Sequence, residues 1–395
     1  MKQQNVEKFY PVAEPKIGLL EEEYVLDAVR SGWVSSIGRY IGEFEEKFAA
    51  YCDCQYGVSA SNGTTALHLA LACLGIGPGD EIILPSLTFV ATANAVAYTG
   101  ATPVFVDSEE STWCLDPEAV ERAINPSTKA IIVVHLYGHP ADMDPINHLA
   151  NRHNISVIED AAEAHGAQYK GRTVGSLSKI GIFSFYGNKL ITTGEGGMLV
   201  TDDEKLAERA RFLRDHAMSK ERRYWHSEVG YNYRLTNIQA ALGVAQLQQI
   251  DQFLDKKRSI VNWYRQYLAL DDVRSVSPEL PWVRSSYWLA CLLLPSSVNR
   301  EEFMTRLYER GIDTRTFFYP LHSLPTYALS CRTVGRNSDG CPIAEDIAAR
   351  GINLPSAVVL EEEDVKYISH IVNQVSLDLS AHSVGDDVER NLMSL

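Results

Sequence analysis

Residues 155–200 read ISVIEDAAEAHGAQYKGRTVGSLSKIGIFSFYGNKLITTGEGGMLV, and this stretch decides the fold. It holds three short apolar runs, Ile155 to Glu159, Ile180 to Phe185 and Met198 to Val200, with glycine-rich or polar segments between them. Strands this rich in Val and Ile, with no polar residue at every second position, suit a mainly parallel sheet buried on both faces. Upstream the same pattern continues. Strands are expected at Glu81 to Leu84, Thr102 to Val106 and Ala130 to His135. Helices are expected at Thr64 to Leu74, Thr88 to Tyr98, Pro117 to Ile124 and Pro145 to His153. Alternation of this kind predicts an α/β domain with its ligand site at the carboxyl ends of the strands.

Downstream of Tyr233 the pattern changes. Leu235 to Leu270 predicts a long helical stretch, with a possible break near Asp251. A strand at Trp288 to Leu294, a helix at Arg300 to Arg310 and a final helix from about Glu361 predict a smaller α+β domain. The expected division is residues 1–250 for the large domain and 251–395 for the small one, ending in the polar tail SVGDDVERNLMSL. A chain of 395 residues suits two cores rather than one.

Composition narrows the function. A net charge of -15 argues against general nucleic-acid binding or an anionic membrane surface, so a phosphorylated ligand would need a local anion site. The seven cysteines do not form an even disulfide framework, and Cys52 with Cys54 lacks a second pair at zinc spacing, so no metal site is expected. The N-terminal residues carry no apolar signal segment, and no run approaches the roughly 20 apolar residues of a membrane helix. A cytoplasmic protein is the expectation.

Four positions carry possible chemistry, and each has a plain structural alternative. Asn62-Gly63-Thr64-Thr65 precedes an alanine-rich helix, where free N–H groups and the helix dipole can bind an anion. Taken alone, it is better explained as a simple N-cap at Ser61 or Asn62. Phe89 is either core or a stacking platform. Asp160 ends a strand where ligands bind in such sheets, yet an acid there can simply cap the adjoining helical turn. Glu163, three residues on, could face the same ligand or solvent. Lys189 comes after the strand ending in Ser184 and Phe185. A desolvated amine is what Schiff-base formation with an aldehyde requires, whereas a lone lysine in a loop requires nothing. Gly194, Gly196 and Gly197 would allow close backbone approach. Read in order, these residues describe a phosphate cradle, a ring stack, an acid for a pyridinium nitrogen and a Schiff-base lysine, which is the set pyridoxal phosphate needs.

The blocks SGWVSSIGRYIGEFE, SNGTTALHLAL, GDEIILPSLTFVATANAV, VIEDAAEAHGA, FSFYGNKLITTGEGGMLV and GYNYRLTNIQAALG resemble the DegT/DnrJ/EryC1/StrS family of nucleotide-sugar aminotransferases. The resemblance implies the aspartate-aminotransferase-like fold type I, with a seven-stranded sheet in the large domain. It implies that Lys189 forms the Schiff base, Asp160 pairs with the ring nitrogen, and Phe89 stacks on the ring. Gly63, Thr64, Thr65 and Ser184 would hold the phosphate, with Asn232 supplied from the other subunit of a homodimer. Many relatives carry Gln or His in place of Glu163. Some replace the lysine with His and become dehydratases, which Lys189 argues against here. The implied reaction cycles the cofactor through pyridoxamine phosphate, with L-glutamate as donor and 2-oxoglutarate released. The block around Lys189 is most similar to 4-aminotransferases of GDP-linked sugars, which implies GDP-4-keto-6-deoxymannose as acceptor; UDP- or dTDP-linked keto sugars are the alternative. Trp33, Ser35 and Ser36, with Arg315, Tyr319 and His322, resemble family loops near the sugar, and a structural role for each aromatic residue remains open. A non-catalytic cofactor-binding regulator is the competing class. A nicotinamide enzyme lacks its glycine fingerprint here.

Overall fold

The computed structural model describes residues 8–269, 276–328, 331–337 and 339–393, with side chains as far as residue 379. The chain enters through α1 (Leu19–Arg30) and α2 (Arg39–Tyr51). Then come β1 (Tyr56–Ala60), α3 (Gly63–Cys73), β2 (Glu81–Pro85), α4 (Ala91–Tyr98) and β3 (Thr102–Val106). They are succeeded by α5 (Pro117–Ala123), β4 (Thr128–Val134), α6 (Met143–His153) and β5 (Ser156–Asp160). A short hairpin, β6 (Gln168–Tyr169) and β7 (Arg172–Thr173), precedes β8 (Ile180–Ser184), β9 (Gly197–Thr201) and α7 (Glu204–Arg214).

The large sheet has the order β1-β9-β8-β5-β4-β2-β3-β13, where β13 is Arg332–Val334. Within it β9 alone runs against its neighbours, and the remaining strands pair in parallel. Parallel strands must bury both faces, and these do. Ile83, Val104, Ile131, Val133 and Val157 join one core, whereas Ile82, Leu84, Phe105, Ile132, Ile158 and Leu199 join the other, with α3 and α7 packed against the second.

The sheet therefore has eight strands where seven were expected. The eighth comes from the C-terminal part of the chain. β13 is three residues long at a sheet edge, and only Val334 in it is buried, so it lacks the apolar run by which the other strands are read. Arg332 fastens it by donating to the Ala123 carbonyl at 2.6 Å and pairing with Glu81 at 3.1 Å.

The expected long helix divides into α8 (Asn237–Leu247) and α9 (Ile250–Tyr267) at Gln248 and Gln249, slightly before Asp251. Thereafter β10 (Val283–Arg284) joins the β6–β7 hairpin. A small antiparallel sheet combines β11 (Ala290–Leu293), β14 (Gly351–Leu354) and β12 (Arg315–Thr316). With α9, α10 (Arg300–Tyr308) and α12 (Glu362–Met393) it encloses a third core around Tyr264, Phe303, Leu307, Ile352 and Ile368, whereas α11 (Pro342–Arg350) packs into the first core through Ala344, Ile347 and Ala348. α12 runs through most of the expected tail, which contains no proline to stop it. Among the described residues no helix is long and apolar enough to cross a membrane.

Candidate active site

A cavity of 560 Å³ opens at the carboxyl ends of the parallel strands, where β5 ends in Asp160 and β8 in Ser184. It is lined by Gly63, Thr64, Phe89, Asp160, Glu163, Ser184, Lys189 and Arg315, all residues singled out from the sequence.

One end is the start of α3. Asn62 caps the helix by accepting from Thr65 N–H at 2.9 Å, while its own N–H donates to Thr65 Oγ1 at 3.1 Å. Ala66 N–H reaches the Asn62 carbonyl. The cap leaves the first N–H groups, those of Gly63 and Thr64, without an intrahelical acceptor at the positive end of the helix dipole. Both alternatives for this turn are thus present in one structure: it is a cap and it faces the cavity. Gly63 is required by close approach, since a Cβ there would lie 2.8 Å from Ser184 Cβ. Gly197 serves likewise, because its Cβ would meet the Asn62 carbonyl oxygen at 2.3 Å.

At mid-cavity Asp160 is 5 % exposed and accepts from Thr92 Oγ1 at 2.8 Å and Ala162 N–H at 3.3 Å. Burial pushes its carboxyl above the ordinary range, and these donors together with Lys189 pull it back.

Lys189 stands at the far side, on a tight turn closed by its own N–H to the Tyr186 carbonyl at 2.9 Å. Its side chain is 11 % exposed. Burial pulls its amine below the usual lysine range, opposed by the charges of Glu163 and Asp160. Glu163 Oε1 lies 3.7 Å from the amine, and Tyr137 N–H donates to Oε2 at 2.9 Å. Burial pushes the Glu163 carboxyl up to about 7 against the pull of Lys189. An amine lowered by burial beside a carboxyl raised by it can exchange a proton more easily than the same two groups could in water.

An aromatic wall closes one side. Phe89 is half exposed and lies 5.7 Å from Phe318, which stacks on Tyr137 at 5.4 Å, which in turn stacks on Trp288 at 6.1 Å. Phe318, Trp288 and Thr92 line the cavity, and neither their spacing nor their neighbours in sequence mark them. Arg315 brings a guanidinium to the cavity from β12, and its side chain has no hydrogen-bond or ion-pair partner among the described residues.

Other expected residues lie elsewhere. Thr65 is outside the lining, and its hydroxyl donates to the Asn62 carbonyl at 2.8 Å. Asn232 is exposed, outside the lining, and accepts from Arg234 at 2.8 Å. Trp33 is exposed, and the carbonyls of Trp33 and Ser35 receive Asn237 Nδ2 and N at 2.7 and 2.6 Å; Ser36 adjoins them in the same loop. Tyr319 is exposed and outside the lining. His322 bridges Ser86 Oγ at 2.6 Å and Glu345 Oε1 at 2.9 Å, tying the loop after β12 to the end of β2.

Comparison with known proteins agrees with this geometry. Residues 15–373 match the model of the DegT/DnrJ/EryC1/StrS aminotransferase family. The chain is 46% identical to GDP-perosamine synthase of Escherichia coli O157:H7, over 94% of this chain and 100% of that one. It is 47% identical to GDP-perosamine synthase of Caulobacter vibrioides, over 92% and 97%. Its fold superposes on the crystal structure of S. venezuelae DesV in complex with a ketimine intermediate, with a TM-score of 0.84 and 36% identity over 93% and 99% of the two chains. The chain belongs to the DegT/DnrJ/EryC1/StrS aminotransferase family, and it is a pyridoxal-phosphate-dependent nucleotide-sugar aminotransferase.

Proposed function

We propose that this protein transfers the amino group of L-glutamate to C4 of GDP-4-keto-6-deoxy-D-mannose, giving GDP-perosamine and 2-oxoglutarate. The observation that carries the choice of sugar is near-full-length similarity, at 46% and 47% identity, to two proteins named GDP-perosamine synthase.

The cavity residues fit pyridoxal phosphate. The N–H groups of Gly63 and Thr64, with the hydroxyls of Thr64 and Ser184, form a cradle that a Cβ at position 63 would fill. Thr65 holds the turn in shape through Asn62. Asp160 would support a protonated ring nitrogen, Phe89 would offer a ring to stack on, and Glu163 would lie beside Lys189 where the amine meets the cofactor. When bound, the cofactor supplies an aldehyde for amine exchange and a cationic ring that withdraws electrons from the reacting carbon.

The chain's own residues do the rest. Lys189 would hold the cofactor through its amine. When that amine is free it would take a proton from Cα of glutamate and later give the proton back, and it would work in the opposite direction with the sugar. Glu163 shares the proton load of the amine. Arg315 offers a cation to the anionic parts of both substrates. The aromatic wall and the buried Asp160 keep bulk water from the ring.

A second copy of the chain completes the site in this reading, with Asn232 of the partner subunit reaching the phosphate. Leu19, Leu26, Trp33, Val34 and Ile37, on α1 and the loop after it, are exposed apolar residues that such a contact would cover.

The test is to load the protein with pyridoxamine phosphate and offer GDP-, UDP- and dTDP-linked 4-keto sugars, scoring amino-sugar product by mass spectrometry. The expected result is a preference for the GDP sugar of roughly tenfold or more in kcat/KM. Turnover of only the UDP or dTDP sugars would overturn the assignment.

A further inference from the structure

Trp288 sits in SSYWLACLLL, which reads as an ordinary core strand, yet its indole lies directly beneath the Lys189 amine. The distance from Nζ to the ring centroid is 3.7 Å. Glu163 Oε1 approaches the same nitrogen to 3.7 Å. Three contacts fix the indole. Its Nε1–H donates to the carbonyl of Asn188, the residue before the lysine, at 2.8 Å. Its ring stacks on Tyr137 with an interplanar angle of 16°. Its backbone carbonyl accepts from the buried amine of Lys257 at 2.8 Å.

Orientation here matters to chemistry as well as packing. An indole face attracts an ammonium more strongly than other aromatic faces, and most strongly where water is excluded. Burial alone favours a neutral amine at Lys189, but an amine that has just accepted a proton must be kept in place as an ammonium until it gives the proton back. Glu163 alone, with a carboxyl that is itself close to protonation, is a weak partner for that purpose.

We propose that Trp288 is a further catalytic residue of this site: its indole face receives the Lys189 ammonium formed in each half-reaction and, together with Glu163, holds it for return of the proton. The step balances internally. The substrate carbon loses a proton to the lysine lone pair, and the ammonium delivers that proton to the second carbon, with no other reactant consumed. The inference rests on Lys189 being the reacting amine.

The experiment uses the full-length enzyme in its pyridoxamine-phosphate form, where the Lys189 amine is free. Competitive acetylation with acetic anhydride across a pH series, read on the Lys189 peptide by mass spectrometry, gives the titration midpoint of that amine. Trp288→Leu should lower the midpoint by about one pH unit, and Trp288→Phe by roughly half as much. The rate of both half-reactions should fall while KM for glutamate holds. A midpoint unmoved in both variants overturns the proposal, even if thermal stability drops, because a purely structural role predicts that pattern. Should Trp288→Leu not bind cofactor, Trp288→Phe decides. Borohydride reduction of the wild-type pyridoxal form separates the two failures: no cofactor on Lys189 refutes the underlying reading, whereas cofactor on Lys189 with an unmoved midpoint refutes the role of Trp288.

Discussion

Glu163 and Lys189 face each other across the cavity with Oε1 and Nζ 3.7 Å apart, and neither is solvated enough to ignore the other. Burial drives the carboxyl up and the amine down, so the two affinities for a proton converge. This convergence is the physical basis of the proton traffic assigned to the site.

Glu163→Gln should therefore change two measurements. The limb near pH 7 in the rate profile disappears, and the Lys189 midpoint falls by about one unit because its anionic neighbour is gone. Stability should respond with the opposite sign to an ordinary ion pair. A carboxyl whose folded pKa is raised from 4.5 to about 7 binds more protons folded than unfolded across that window, so its contribution is lost as pH rises through it. The variant should gain stability relative to wild type between pH 5 and pH 8, on the order of 2–3 kcal/mol. Thermal denaturation at the two pH values checks this, and parallel curves would contradict it.

Asp160→Asn keeps the shape of the side chain and removes its charge. With Thr92 still a neighbour, the fold should survive, and the relief of a buried carboxylate should leave Tm equal or higher without cofactor. Activity should fall by roughly 10²–10³-fold because nothing then supports a protonated ring. Loss of folding with retained specific activity in the soluble fraction would be the opposite pattern.

Gly63→Ala places a methyl group 2.8 Å from Ser184 Cβ, which requires α3 and β8 to separate. Overpacking of this kind costs about 1–3 kcal/mol. The effect should fall on cofactor affinity, with Kd weakened by about tenfold or more in a fluorescence titration. Unchanged affinity would mean that the start of α3 does not cradle the phosphate.

Much of this site is legible in sequence because its key residues end strands. Asp160 and Ser184 close β5 and β8, and parallel strands bring their carboxyl ends together whatever lies between. Gly63 and Thr64 are legible because a helix start has its own signature. Trp288 and Phe318 are not, since each reaches the cavity through tertiary contacts with elements 100 or more residues away. Trp288 meets the turn at Asn188, and Phe318 meets Phe89 and Tyr137. His322 shows the converse. Its segment resembles a family loop near the sugar, and in the structure Ser86 and Glu345 occupy both its nitrogens, contacts that sequence does not reveal. The edge strand β13 is invisible for a related reason. Its pairing with β3 is set by Arg332 and one buried valine, too little for a periodic pattern.

The most direct test of the central claim is to reduce the pyridoxal-phosphate enzyme with borohydride, digest it and locate the added cofactor mass by peptide sequencing. Lys257 provides the internal control, being a buried lysine with an amine drawn down to about 7 and bonded to two backbone carbonyls. The predicted result is cofactor on Lys189 alone, and its absence in Lys189→Ala together with loss of glutamate-dependent turnover. Cofactor on Lys257, or turnover that persists without Lys189, would contradict the assignment.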